Sequence, residues 1–172
     1  MSKKFLFLFL LSFTSFLLLF CGSDSEKLNC KDICAKLKEC EGDDETACNK
    51  FCTSMNEKNY FQDSYVKAIN ECPDKSSCDE FSKCGDDADN KCTVIDTSNL
   101  ANTLCEKMIN ECKIDTGTTK DECIKEFQEG AKDNCTTKTY FDDFENCIKT
   151  ISCDDLKQKG SSYCQEKILG IE

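Results

Sequence analysis

Cys30-Lys31-Asp32-Ile33-Cys34-Ala35-Lys36-Leu37-Lys38-Glu39-Cys40 and, after a short acidic break, Cys48-Asn49-Lys50-Phe51-Cys52-Thr53-Ser54-Met55 decide how this chain folds. Cys30, Ile33, Cys34, Leu37 and Cys40 recur at steps of three and four residues, as do Cys48, Phe51, Cys52 and Met55. That is the period at which side chains share one face of an α-helix. Each Cys-x-x-x-Cys pair therefore sets two sulfurs about one turn apart on one face. Gly42-Asp43-Asp44-Glu45 puts negative charge at the start of the second helix, where the helix dipole favours it. Phe61, Tyr65, Ile69 and Cys72 form a third stripe stopped by Pro73, and a short fourth helix is expected around Cys78 to Cys84.

Downstream, the pattern returns. Shifting the sequence by 75 positions lays Cys48 on Cys123, Tyr65 on Tyr140, Ile69 on Phe144 and Cys72 on Cys147. Ser77-Cys78-Asp79-Glu80-Phe81 then meets Ser152-Cys153-Asp154-Asp155-Leu156. The helical stripes of this half are Leu100, Leu104, Cys105, Met108, Ile109 and Cys112, then Cys123 and Phe127, then Tyr140, Phe144 and Cys147. Thr119-Lys120-Asp121-Glu122 is a capping-box pattern at the start of the second of these helices. Alternating β patterns and Asn-Gly hairpin turns are absent. The expectation is an all-α, disulfide-stapled helical bundle made of two duplicated units, 28–92 and 98–168, joined by the polar segment Thr93 to Ser98.

Composition says what must hold such a bundle together. Beyond Cys21 there are only ten Ile, six Leu, two Val and six Phe in 151 positions. That is about 16%, below the roughly 20% at which charged chains stay unfolded, whereas the cysteine content of about 10% is that of a disulfide scaffold. Bridges contribute about 2–4 kcal/mol each, so full reduction is expected to unfold the chain.

Two Cys-x-x-x-Cys helices joined by a turn resemble the α-hairpinin arrangement, in which antiparallel helices are cross-linked twice. Over residues 30–52 this resemblance implies the pairs Cys30–Cys52 and Cys34–Cys48. If Cys34 corresponds to Cys105, then Ala101 and Phe127 replace Cys30 and Cys52 together, and Cys105–Cys123 survives as the equivalent of Cys34–Cys48. That alignment needs a three-residue insertion in the turn; the ungapped alternative lays Cys30 on Cys105 instead. Helix direction suggests one further bridge per unit. If helix one runs down to Cys40 and helix three descends to Cys72, those ends meet, as do Cys112 and Cys147. Cys78, Cys84, Cys92, Cys135, Cys153 and Cys164 are left without assigned partners. Three belong to each unit, so at least one bridge must cross between units if all pair.

The leader is an address. Met1-Ser2-Lys3-Lys4 is a positive n-region, and Phe5 to Phe20 is an apolar run of sixteen residues interrupted by Ser12, Thr14 and Ser15. As a helix it is about 24 Å long, short of the roughly 30 Å hydrocarbon core, so residues 1–20 read as a signal peptide. It ends in Leu18-Leu19-Phe20-Cys21-Gly22-Ser23. This resembles the lipobox of bacterial lipoproteins, in which the cysteine is lipidated and becomes the new N-terminus. Phe20 stands where most bacteria have a small residue; spirochaete lipoboxes are looser there, so the resemblance is to a spirochaete-type cysteine-rich lipoprotein. It implies lipidation of Cys21, a tether over 21–27, membrane attachment through acyl chains, and an outer-membrane or cell-surface location. Cysteine parity points the same way, because seventeen is odd and removing Cys21 leaves sixteen that can pair. The alternative is a secreted, non-lipidated cysteine-rich effector or structural protein, for which Asn134-Cys135-Thr136 is the glycosylation sequon.

Charge and residue inventory exclude several functions. Without Lys3 and Lys4 the chain carries 20 basic against 33 acidic residues, a net charge of −13. Nucleic acid is not an expected partner, because binding it requires basic residues that displace phosphate counterions. Without arginine there is no bidentate phosphate fork. With no histidine there is no Ser-His-Asp triad, Cys-His nucleophile or histidine-bound zinc. Absence of any Cys-x-x-Cys removes the thioredoxin-type redox pair and the usual zinc knuckle. Gly85-Asp86-Asp87-Ala88-Asp89-Asn90 lacks the glutamate and spacing of an EF-hand and reads as a solvated acidic loop. Asp79-Glu80 and Asp154-Asp155 read as helix-start charges, and Tyr65, Tyr140 and Phe144 as core. No catalytic residue, metal or cofactor is expected. The expected role is non-catalytic binding or structure.

Overall fold

The computed structural model describes residues 27–132 and 134–171, all helix and connecting turns. The leader, its Cys21 and most of the tether lie outside the described residues. The first four helices are α1 (Cys30–Glu41), α2 (Glu45–Lys58), α3 (Asp63–Ile69) and α4 (Cys78–Asp89). In the second half α5 (Ser98–Cys105) runs on as a π-helical segment, Glu106–Glu111, followed by α6 (Lys120–Ala131), α7 (Lys138–Thr150), α8 (Cys153–Lys159) and α9 (Ser162–Leu169).

Local chemistry sets the boundaries. Asn29 caps α1, its side chain accepting from the Asp32 N–H, and Gly42 ends it at φ 80° with its N–H on the Lys38 carbonyl. A left-handed residue at that position satisfies an orphan carbonyl, and glycine adopts it at no steric cost. Asp44 caps α2 through the N–H groups of Thr46 and Ala47. Thr119 and Glu122 make the expected reciprocal capping box at α6. Ser77 and Ser152 cap α4 and α8 by the same bond, to the N–H groups of Glu80 and Asp155.

Packing follows the stripes. α1 lies against α2, α3 against α4, α5 against both α6 and α7, and α9 against α7, α8 and, across the halves, α2. Ile33, Leu37, Met55, Tyr65, Val66 and Ile69 are buried in the first half, and Leu104, Phe141, Ile148 and Leu156 in the second. The buried apolar residues of both halves form one continuous cluster. Phe61 is buried but precedes α3 rather than belonging to it.

Two sequence expectations change. The fourth helix continues through Gly85-Asp86-Asp87-Ala88-Asp89, because Ala88 is buried and keeps the helix docked. The acidic stretch is therefore helix surface and not a loop. The stripe from Leu100 to Cys112 is not one regular helix either. Its last turns are π-helical, with the Cys112 N–H reaching back five residues to the Lys107 carbonyl at 2.9 Å.

Candidate functional site

The chemistry-bearing side chains of this chain are its cysteines, and the helices bring all sixteen of the described ones together in pairs. Cys30 joins Cys52 and Cys34 joins Cys48, each with Cα atoms 5.7 Å apart, cross-linking α1 to α2 at consecutive turns. Cys105 joins Cys123 across α5 and α6. The inner positions of these three bridges are buried, so they belong to the apolar core as much as any leucine does.

Cys40 and Cys112 depart from the expectation. Cys40 pairs with Cys78, not with Cys72, and Cys112 with Cys153, not with Cys147. Cys72 instead joins Cys84, and Cys147 joins Cys164. The reason lies in the short fourth helix, which end-to-end reasoning about three helices left out. After α3 ends at Ile69, the turn through Pro73 carries the chain back so that the first residue of α4, Cys78, meets the last turn of α1. Cys72 turns inward, fully buried beneath α4, and is closed there by Cys84. The second half repeats this with α8 and α9 in place of α4.

The pairs then sort into a pattern. Cys34–Cys48, Cys40–Cys78 and Cys72–Cys84 correspond to Cys105–Cys123, Cys112–Cys153 and Cys147–Cys164, and one end of every pair is offset by the same 75 residues. Cys30–Cys52 has no counterpart, since Ala101 and Phe127 take its positions. The remaining bridge, Cys92–Cys135, crosses between the halves.

Around that bridge the halves meet in a self-complementary seam. Phe61 and Thr136 form an isolated antiparallel bridge, and they are 75 positions apart. The Gln62 N–H donates to the Cys135 carbonyl at 3.0 Å, and the Thr137 N–H donates to the Tyr60 carbonyl at 2.7 Å. A shift of 75 exchanges one bond for the other, which is how two like surfaces meet about a twofold axis. The Gln62 side chain clamps the connecting segment, donating to the Thr93 carbonyl at 2.8 Å and accepting from its N–H at 2.7 Å. The Tyr60 hydroxyl donates to Asp143 at 2.6 Å, and its ring meets Tyr140 edge-on with centroids 5.3 Å apart. No family model, curated protein or solved structure matches this chain.

Electrostatics at the seam favour neutral tyrosine. Burial, and then the hydrogen bond and charge of Asp143, push the Tyr60 hydroxyl well above the ordinary tyrosine range. Burial raises Tyr140 likewise, and Tyr65 is raised by burial together with the charge of and hydrogen bond to Asp89. Thr136 is fully buried, and its hydroxyl oxygen has no hydrogen-bond partner. Asn134 turns back on its own loop, its side-chain oxygen accepting from the Thr136 N–H at 3.1 Å.

A metal finds little to bind among the described residues. The Glu39 carboxylate and the sulfurs of Cys40 and Cys78 lie within 4.8 Å of one another, but both sulfurs are consumed in a bridge and offer no thiolate. Asp79 and Asp154 stand in the first turns of α4 and α8, where negative charge complements the helix dipole. No described helix is long and apolar enough to cross a membrane.

Proposed function

We propose that this chain is a bacterial envelope lipoprotein. It is held to a membrane by acyl chains on Cys21 and presents a rigid, acidic, disulfide-stapled module with a binding or structural rather than catalytic role. One observation carries the reading. Sixteen of the seventeen cysteines pair completely with one another, which leaves Cys21, at the end of the apolar leader, as the odd sulfur. Eight bridges fit an exported chain, because disulfides persist in oxidising compartments.

Acyl anchoring also suits the charge. A net charge of −13 repels anionic lipid overall, whereas acyl burial contributes about 0.8 kcal/mol per methylene whatever the protein's charge. A module so cross-linked has little slack for proteolysis, which suits exposure at a cell surface. Metabolic labelling with a palmitate analogue and an intact mass of the mature protein test the reading. Acyl label at an N-terminal Cys21, lost in C21S along with detergent-phase partitioning, is the expected result. An unlabelled mature chain beginning elsewhere would establish the secreted alternative.

A further inference from the structure

Of the eight bridges among the described residues, Cys40–Cys78 differs from the rest in exposure. Each of the other seven has at least one buried cysteine, whereas Cys40 and Cys78 are both only partly buried. Access is the first requirement for thiol–disulfide exchange, and the second is a leaving sulfur that tolerates negative charge. The two sulfurs are unequal in that respect. Cys78 is the first residue of the twelve-residue α4, at the amide end of its dipole, where a cysteine thiolate is stabilised. Cys40 lies in the last turn of α1, at the carbonyl end of that helix, where a thiolate is disfavoured; the Glu39 carboxylate lies within 4.8 Å of both sulfurs and does not distinguish them.

We propose that Cys40–Cys78 is a built-in exchange site at which an external thiolate attacks the Cys40 sulfur. The new bond joins the incoming sulfur to Cys40. The Cys40–Cys78 bond breaks, and its electron pair leaves on Cys78 as a thiolate at the start of α4. No outside oxidant or reductant is consumed, and the Cys78 thiolate can expel the adduct to restore the bridge. The fold survives the opening, because α4 remains tied by Cys72–Cys84, stays packed on α3, and keeps Phe81 and Ala88 buried. The site would thus accept a thiol-bearing partner covalently and reversibly without unfolding.

The second half supplies an internal control. Cys112–Cys153 has the same topology, with Cys153 opening α8 behind the same serine cap, but its attacked sulfur belongs to the buried Cys112. The test exposes the native protein to graded dithiothreitol, with acid quenching, N-ethylmaleimide labelling and peptide mapping, while helicity is followed by circular dichroism. Cys40 and Cys78 are expected to label together at reductant levels that leave the other seven bridges closed and the helicity unchanged. Glutathione in place of dithiothreitol is expected to leave its adduct on Cys40. Opening of Cys112–Cys153 at the same rate, earlier opening of any other bridge, or joint opening of all bridges with loss of helicity would overturn the proposal, as would an adduct found on Cys78.

Discussion

Removing the crossing bridge by the double substitution C92A/C135A separates what sulfur contributes between the halves from what the seam contributes. Cys92 and Cys135 are 43 residues apart, and closing a loop of that length in the unfolded chain corresponds to about 4 kcal/mol. The other bridges reduce this. With Cys105–Cys123 intact, the unfolded chain already connects Cys92 to Cys135 by a circuit of about 26 residues, which corresponds to about 3.5 kcal/mol. The same reasoning shrinks Cys30–Cys52 more severely. Cys34–Cys48 is nested inside its loop of 22 residues. The circuit that remains is about nine residues, or about 2.5 kcal/mol. In guanidinium titrations without reductant, followed by circular dichroism, C92A/C135A should lose about 1 kcal/mol more than C30A/C52A. Lost packing acts against that order, since Cys30 and Cys52 are both buried while Cys92 is only partly so. The transition should stay single, because the backbone pair, the bond from the Gln62 side chain to the Thr136 carbonyl and the Tyr60–Asp143 bond still join the halves. Two separate transitions, or a loss no greater than that of C30A/C52A, would refute the circuit argument.

Other substitutions probe neighbouring claims. T136V removes a buried hydroxyl with no partner while keeping the side chain's shape, and should raise stability by up to about 1 kcal/mol in a thermal melt. A101C/F127C restores the missing counterpart of Cys30–Cys52 and should oxidise to a ninth bridge, seen as an absence of alkylatable thiol in the unreduced protein. The buried hydroxyls of Tyr60, Tyr65 and Tyr140 release their protons more readily from the unfolded chain than from the folded one. Their contribution is therefore complete below about pH 10 and falls above it by up to about 1.4 kcal/mol per pH unit per tyrosine, until the folded-state values are passed. Alkaline denaturant titrations should show that slope, reduced in Y140F. Deleting the exposed Asn110 should return the π-helical segment to α-helix and leave Cys105–Cys123 and Cys112–Cys153 both formed, as read by mapping of the bridged peptides.

Much of this architecture was legible in local spacing. Two sulfurs on one face are a property of the sequence step, and antiparallel neighbours joined by a short turn can match them in only one order. Cys30, Cys34, Cys48 and Cys52 satisfy that condition without knowledge of anything outside residues 30–52. Cys40 and Cys112 do not, because their partners depend on where the chain travels after α3 and α7. That path is set by turns at Asn70–Ser77 and Ile151–Ser152, whose direction no periodicity records. The seam was also invisible in advance. Tyr60, Phe61 and Gln62 and their counterparts Cys135, Thr136 and Thr137 share almost no side-chain chemistry, so their equivalence resides in backbone hydrogen bonds. An offset of 75 in paired backbone groups would have been the signal, and it needs coordinates to be seen.

The π-helical segment follows from the same bridges. Cys34 and Cys40 are separated by six residues, and their counterparts Cys105 and Cys112 by seven, yet each must face an equivalent partner. Six residues of α-helix sweep about 1.7 turns. Seven residues can sweep the same angle only at about 4.2 residues per turn, wider than an α-helix and in the direction of i→i+5 bonding. The observed bond from the Cys112 N–H to the Lys107 carbonyl is of that kind. A larger insertion is absorbed differently. Cys78 and Cys84 are six residues apart on one helix, whereas Cys153 and Cys164 are eleven apart, and there the helix breaks at Gly160, with φ 70°, into α8 and α9. In both places the backbone departs from ideal helix while the sulfur contacts stay in register. In a chain with so few large apolar side chains, the sulfur pairs set the spatial frame, and the intervening backbone adjusts to reach them.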